Sequence, residues 1–334
     1  MKRVLQTVSI IALTVFFVAL FLRNSDLHQV GQIMASANPW WIGAGFAVNF
    51  SALLFRAYRW RLLIGGEEPP PFYPTFFATA TGYMLSTVLP IRAGDVARPA
   101  LLARRTRVRF ADALGPVLTE RIVDLIAILV MFSWFCVVHW NDFPQARGVI
   151  HGGALGAGTL LGAVIAFLLG LYFFGSSIRR VHEWVGRILP QRFRGGWMRF
   201  FDAFAKTLTI TERPRDFFVV LGCTVAIWAC LTAQLWVVFV ALGRSLPYDS
   251  TFLINAVATI GLAIPTPGGV GGFHKVCQWL LQTFYRFDID NSVATAVLFH
   301  VVGTLPVVVS GLALFAREGL HWRDVKEVAS SDEP

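Results

Sequence analysis

Three clusters of ionisable and chain-breaking residues hold the chemistry open to this sequence. The first is Arg92-Ala93-Gly94-Asp95-Val96-Ala97-Arg98. If helical, Asp95 and Arg98 stand one turn apart and can pair, leaving Arg92 for a phosphate, a task suited to the planar fork of guanidinium donors. A salt-bridged turn at a membrane edge is the structural alternative. The second cluster is Thr119-Glu120-Arg121-Ile122-Val123-Asp124. Glu120 and Asp124, at i and i+4, share a helix face about two turns inside an apolar run. Carboxylates there can balance Arg92 or Arg98, receive a cationic headgroup or carry a proton; an ion pair with Arg121 is the structural alternative. The third is Pro265-Thr266-Pro267-Gly268-Gly269-Val270-Gly271-Gly272. Prolines and glycines free backbone groups, which a bilayer tolerates only where protein or cavity water satisfies them. This break is expected to line a cavity. A half-helix starting near Gly269 would offer N–H groups to an anion, with His274 and Lys275 in its first turns. His300 reads as a packed polar residue.

The elements that position these clusters follow from composition. Of 334 residues, 55% are hydrophobic and 15% charged, with net charge +9 and mean hydropathy +0.60. About 25% charged residues is usual in a soluble chain. The balance excludes a water-soluble enzyme, a disordered tail and a disulfide scaffold, and it indicates a polytopic all-α membrane protein. No nucleic-acid-binding motif accompanies the basic charge. Cys136, Cys223, Cys230 and Cys277 each sit in an apolar run and read as small hydrophobes. The sequence contains no GxxxxGK[ST], GxSxG, HExxH or Cys/His metal spacing, so no cofactor is implied.

Apolar runs fall at Val4–Leu22, Pro39–Ile64, Phe72–Leu89, Ala113–Trp140, Val149–Phe174, Phe217–Leu242, Thr251–Ile264, Val270–Phe287 and Ser292–Ala316. Arg56, Arg59, Trp60 and Arg61 close the second run as a cation–aromatic membrane edge. Between 176 and 216 lies a basic amphipathic segment with Trp197 and Phe201 on its apolar face, suited to the membrane surface. A full crossing by Phe72–Leu89 would put six arginines between 92 and 109 on the outer side, against the positive-inside rule. A run that turns back near Pro90 removes the conflict. The pair around Pro265 reads as a second re-entrant hairpin. The expectation is about six full spans plus two broken-helix hairpins, with both termini cytoplasmic. Full crossings at both places are the rival.

Pro90 and Pro265 are 175 positions apart, as are Gly94 and Gly269. The surrounding runs repeat at similar offsets, giving an expected inverted repeat, a plan of many secondary transporters. The expected divisions are 1–36 (first helix and external loop), 37–142 (first repeat), 143–215 (connecting helix and basic segment), 216–318 (second repeat) and 319–334 (tail).

An Arg-rich helix end followed by LPxRxGDxxR, ERxxD and PTPGGxG resembles the flippase-like family. That family includes the membrane flippase region of the lysyl-phosphatidylglycerol synthetases, the multiple peptide resistance factors. The matching residues are Arg56, Arg59, Trp60, Leu89, Pro90, Arg92, Gly94, Asp95, Arg98, Glu120, Arg121, Asp124, Pro265, Pro267, Gly268, Gly269 and Gly271. The resemblance implies movement of a phospholipid or related amphiphile between leaflets of a bacterial inner membrane. It does not extend to an aminoacyl-transferase domain. Where the family often carries Glu after the glycine turn, Phe273-His274-Lys275 stands here, which implies an anionic or neutral lipid. An integral membrane enzyme using Asp95, Glu120 and Asp124, and a non-transporting partner of a lipid synthase, are the competing readings. A homo-oligomer is compatible with all three.

Overall fold

A computed structural model describes residues 2–65, 69–88, 94–173, 195, 198, 213–263 and 266–319. Within the described residues the chain is helical and without strands. The eleven α-helices among the described residues are α1 (Lys2–Leu22), α2 (Leu27–Ala35), α3 (Pro39–Ile64), α4 (Phe72–Val88), α5 (Gly94–Ala103), α6 (Phe110–Val138), α7 (Arg147–Phe173), α8 (Pro214–Ala241), α9 (Ser250–Ala263), α10 (Gly272–Tyr285) and α11 (Ile289–Arg317). Arg92, Pro90, Pro265, Trp197 and Phe201 lie outside the described residues.

The apolar runs became helices close to their expected bounds. In α3 the Asn38 side chain accepts from the Trp40 N–H, Pro39 occupies the first turn, and Gly65 at φ 63° ends the helix. Four helices, Phe110–Val138, Pro144–Gly170, Pro214–Ala241 and Ile289–Arg317, are long and apolar enough to cross a membrane. The stretch expected as an external loop contains α2. Asp26 caps it by accepting from the His28 and Gln29 N–H groups, and Val30 buries its inner face.

Hydrogen bonds at the helix ends define the topology. α3 and α8 run antiparallel: the Asn38 N–H donates to the Ala241 carbonyl (2.8 Å), and near the other ends Arg59 donates to Thr224 (3.2 Å). Midway, the buried Asn49 amide donates to Gln234. Tyr73, at the start of α4, donates to Glu318 (2.6 Å), and Arg105, just past α5, donates to the same carboxylate (2.7 Å). The α4–α5 pair therefore begins and finishes at the end of the bundle where α11 terminates. α9 and α10 do the converse. His139, at the end of α6, bonds Asp249 before α9 (2.7 Å), and Gln145 donates to the Thr283 carbonyl in the last turn of α10 (3.3 Å). With 29 residues, α11 runs about 44 Å from that end back to Glu318.

Each hairpin is drawn tight by glycine. A Cβ on Gly94 would sit 1.7 Å from the Gly82 carbonyl oxygen, and one on Gly261 would sit 2.8 Å from Phe273 Cα. The two helix pairs also meet, since a Cβ on Gly268 would lie 3.0 Å from the Thr87 carbonyl oxygen in the last turn of α4. The helix starts Pro39 and Pro214, Phe72 and Ser250, Gly94 and Gly272, and Phe110 and Ile289 lie 175–179 positions apart. All four cysteines are free; Cys136, Cys223 and Cys277 are buried and Cys230 is partly so.

Candidate functional site

A buried ionic network lies where α3, α5 and α6 converge. Arg59 and Trp60 are both 0% exposed, so they are interior residues rather than the membrane edge the sequence suggested. The reason is periodicity: positions 49, 52, 53, 57, 59, 60 and 63 of α3 all belong to its buried face. Arg61 lies off that face and donates to the Pro70 carbonyl in the following loop (2.6 Å). The Trp60 indole N–H donates to the Ala113 carbonyl (3.2 Å).

Arg59 holds Asp124 in a bidentate pair, Nη1–Oδ1 2.7 Å and Nη2–Oδ2 3.1 Å. Its Nε lies 3.6 Å from Glu120 Oε1. The other oxygen of Glu120 accepts from Arg98 Nη2 at 2.6 Å. Glu120 thus bridges arginines from two other helices. Arg98 is 2% exposed, with its guanidinium carbon 3.9 Å above the Trp60 ring and 5.7 Å from the Tyr83 ring. The first turn of α5 approaches α4 so closely that a Cβ on Gly82 would lie 2.7 Å from Arg98 Cβ. Glycine at 82 and 94 lets Arg98 enter the core.

The expected Asp95–Arg98 pair does not form. Arg98 points inward to Glu120 and Trp60, while Asp95 stays at the outer edge and accepts from Arg121. Arg121 in turn is no partner for its neighbour Glu120, because adjacent helical residues point about 100° apart. Asp95 and Arg121 side chains retain 29% and 34% exposure, in contrast to Glu120 at 4%. Arg56 stacks on Tyr83, its guanidinium carbon 4.6 Å from the ring centroid.

The second glycine break differs from expectation in its helix start. Gly268, Gly269 and Gly271 have φ of 62°, 71° and 89°, so α10 begins at Gly272 rather than near Gly269. The Gly269 N–H is spent on the Thr266 carbonyl (3.0 Å) and the Gly271 N–H on His274 Nδ1 (3.3 Å). Neither is offered to an anion. Gly271 abuts α1, where a Cβ would come 2.6 Å from Phe17 Cβ. Pro267 starts a single 3-10 turn with these glycines. His274 is buried and stacks on His300 with centroids 4.6 Å apart; Lys275 donates to Gln278 (2.8 Å).

The structure therefore joins Arg98, Glu120 and Asp124 in one network, sets Asp95 and Arg121 on its rim, buries Gly94 against Gly82 of α4, and leaves His274 and Lys275 in the second hairpin. Sequence reasoning missed Arg59 as the central cation, and Tyr83 and Thr224 as neighbours. The buried-face periodicity of α3 was the signal that could have placed Arg59.

A family model described as the lysylphosphatidylglycerol synthase TM region matches residues 7–311. The chain is 22% identical over 287 residues to a UPF0104 membrane protein of Methanothermobacter thermautotrophicus, an alignment covering 78% of each chain. It is 20% identical over 233 residues to a UPF0104 membrane protein of Methanocaldococcus jannaschii, covering 69% of this chain and 92% of that one. With the match running through both hairpins and the ionic network, the chain belongs to the lysylphosphatidylglycerol synthase transmembrane-region family.

Proposed function

We propose that this protein is a lipid translocase, moving a phospholipid or related amphiphile between the leaflets of the inner (plasma) membrane without altering it covalently. The observation that carries the reading is the Glu120 bridge between Arg59 and Arg98, buried among membrane-type helices. Ionised groups at such depth are costly and usually mark a substrate or ion path. In this reading α4–α5 and α9–α10 are re-entrant hairpins opening to opposite sides, an inverted repeat whose tips meet at Thr87 and Gly268. Asp95, Arg121 and Tyr83 form the rim a headgroup passes. The argininyl end, with Arg105 and Arg317, is cytoplasmic, as are both termini. Lacking a nucleotide motif, transport is downhill or ion-coupled.

The test is redistribution of a fluorescent phospholipid between leaflets of proteoliposomes. Wild-type protein is expected to accelerate it, and Glu120→Gln to reduce the rate by about tenfold or more, since it leaves two buried arginines short of one charge. An unchanged rate in folded Glu120→Gln protein would defeat the assignment. Recovery of a chemically altered lipid would instead favour an enzyme.

A further inference from the structure

The charges around the network do not balance. Arg56, Arg59, Arg98 and Arg121 meet only Asp95, Glu120 and Asp124 among the described residues. Three of the arginines have a carboxylate partner: Arg59 with Asp124, Arg98 with Glu120, and Arg121 with Asp95. Arg56 has none: among the described residues no carboxylate oxygen lies within 4.0 Å of it, and its Nε is buried without a hydrogen-bond partner. It is near enough to Asp124 on α6 and Cys230 on α8 to interact with both electrostatically. Guanidinium stays charged under all ordinary conditions. Among the described residues the cluster therefore carries one more positive than negative charge beside a membrane-type helix interior.

The geometry of Arg56 fits an incoming anion. Tyr83 covers one face of its guanidinium at 4.6 Å, which fixes the plane and leaves the edge as the donor surface. Its side chain is half-buried, and its neighbours Phe55 and Tyr58 are 39% and 38% exposed, so this part of α3 borders the outer surface of the bundle rather than a sealed core. A planar, pre-oriented fork at a low-dielectric surface selects a phosphate oxygen pair over a point charge. A missing charge of one matches a phosphodiester. Arg98 is already committed to Glu120 and stacked on Trp60.

We infer that Arg56, stacked on Tyr83, is the binding arm for a phosphate group, and that the phosphodiester of an anionic lipid headgroup supplies the counter-charge the network lacks. The inference deepens the translocase reading and rests on it for the lipid as source.

The experiment measures lipid retention by the full chain in detergent, using native mass spectrometry with phosphatidylglycerol or diacylglycerol, each with and without excess inorganic phosphate. Arg56→Gln is expected to retain about tenfold less phosphatidylglycerol, the scale of a lost charge-assisted contact, with diacylglycerol unaffected. Arg56→Lys, which keeps charge but loses the fork, is expected to fall severalfold. Lipid-free Arg56→Gln should melt no lower than wild type, because it removes an unneutralised charge; a clear drop would make Arg56 structural and overturn the inference. Equal retention of phosphatidylglycerol by wild type and the folded variants would also overturn it. Should Arg56→Gln fail to fold, undiminished retention by Arg56→Lys does so. If inorganic phosphate displaces the lipid in an Arg56-dependent way, the anion site stands with free phosphate as its occupant, and the lipid source fails. Leaflet redistribution measured in parallel separates the two readings: transport persisting with Arg56-independent binding leaves the translocase and removes only this assignment.

Discussion

At the scale of residues, burial decides which ion pairs matter. Arg59–Asp124 is held by two hydrogen bonds with Arg59 fully buried, whereas Asp95–Arg121 is about one-third exposed. Breaking a buried pair leaves an uncompensated charge and typically costs about 3–5 kcal/mol, while partly solvated pairs contribute about 0–1 kcal/mol. Thermal melts in detergent should therefore show a large loss for Arg59→Gln and little for Asp95→Asn. Comparable losses in the two variants would mean that the rim pair is as structural as the core pair. The sequence made Glu120, Asp124 and Arg98 legible as charges in apolar surroundings. It did not reveal their pairing, because partner choice among four arginines depends on which face of α3 and α5 turns inward. Arg59 was hidden for the same reason: in one dimension, Arg56-Ala57-Tyr58-Arg59-Trp60-Arg61 looks like an interfacial run, and only the helical period separates Arg59 from Arg61.

At the scale of elements, glycine sets how closely helices approach. Gly94→Ala would drive a methyl into the Gly82 backbone, so it should destabilise by about 1–3 kcal/mol or more and reduce lipid redistribution. Gly222→Ala, on an exposed face of α8 with open space around it, should be neutral or stabilise by about 0.5–1 kcal/mol. Chemical denaturation of the two proteins side by side checks the contrast, and a Gly94→Ala variant as stable as wild type would show that α4 and α5 can separate freely. Long helices were legible because hydrophobic length and an Asn-Pro start are local signals, as at Asn38-Pro39. The nine-residue α2 was not, since its few apolar positions are too short a pattern to outweigh the polar residues around them. The start of α10 slipped from Gly269 to Gly272 because three left-handed glycines within four residues extend the turn before regular helix can begin.

At the scale of the molecule, the two ends differ in chemistry. Arg61, Arg104, Arg105, Arg107, Arg109, Arg213, Arg215 and Arg317 gather at the end closed by Glu318. Trp40, Trp41, Trp140 and Tyr248 are exposed around the opposite end, where amphipathic rings suit a membrane–water boundary. That end also carries a titratable clasp. His139 bonds Asp142 and Asp249, each at 2.7 Å, and ties α6 to the start of α9. Burial by itself would lower the imidazole, but the two carboxylates outweigh it and hold His139 above its ordinary value. A raised folded pKa means that this stabilisation is complete below the unfolded value of about 6.5 and is lost as pH climbs through the folded one. Melting temperature of wild type should thus decline across that window relative to His139→Gln; parallel curves would remove the clasp.

The approach of Gly268 to Thr87 gives the two hairpins a shared bearing. In the translocase reading proposed above, a displacement of either hairpin would be delivered to its counterpart as a push rather than as a signal relayed through a chain of intermediates. Side-chain bulk added at Gly268 would act as a wedge in both halves, and a single cross-link there would arrest a motion that neither half could then complete by itself.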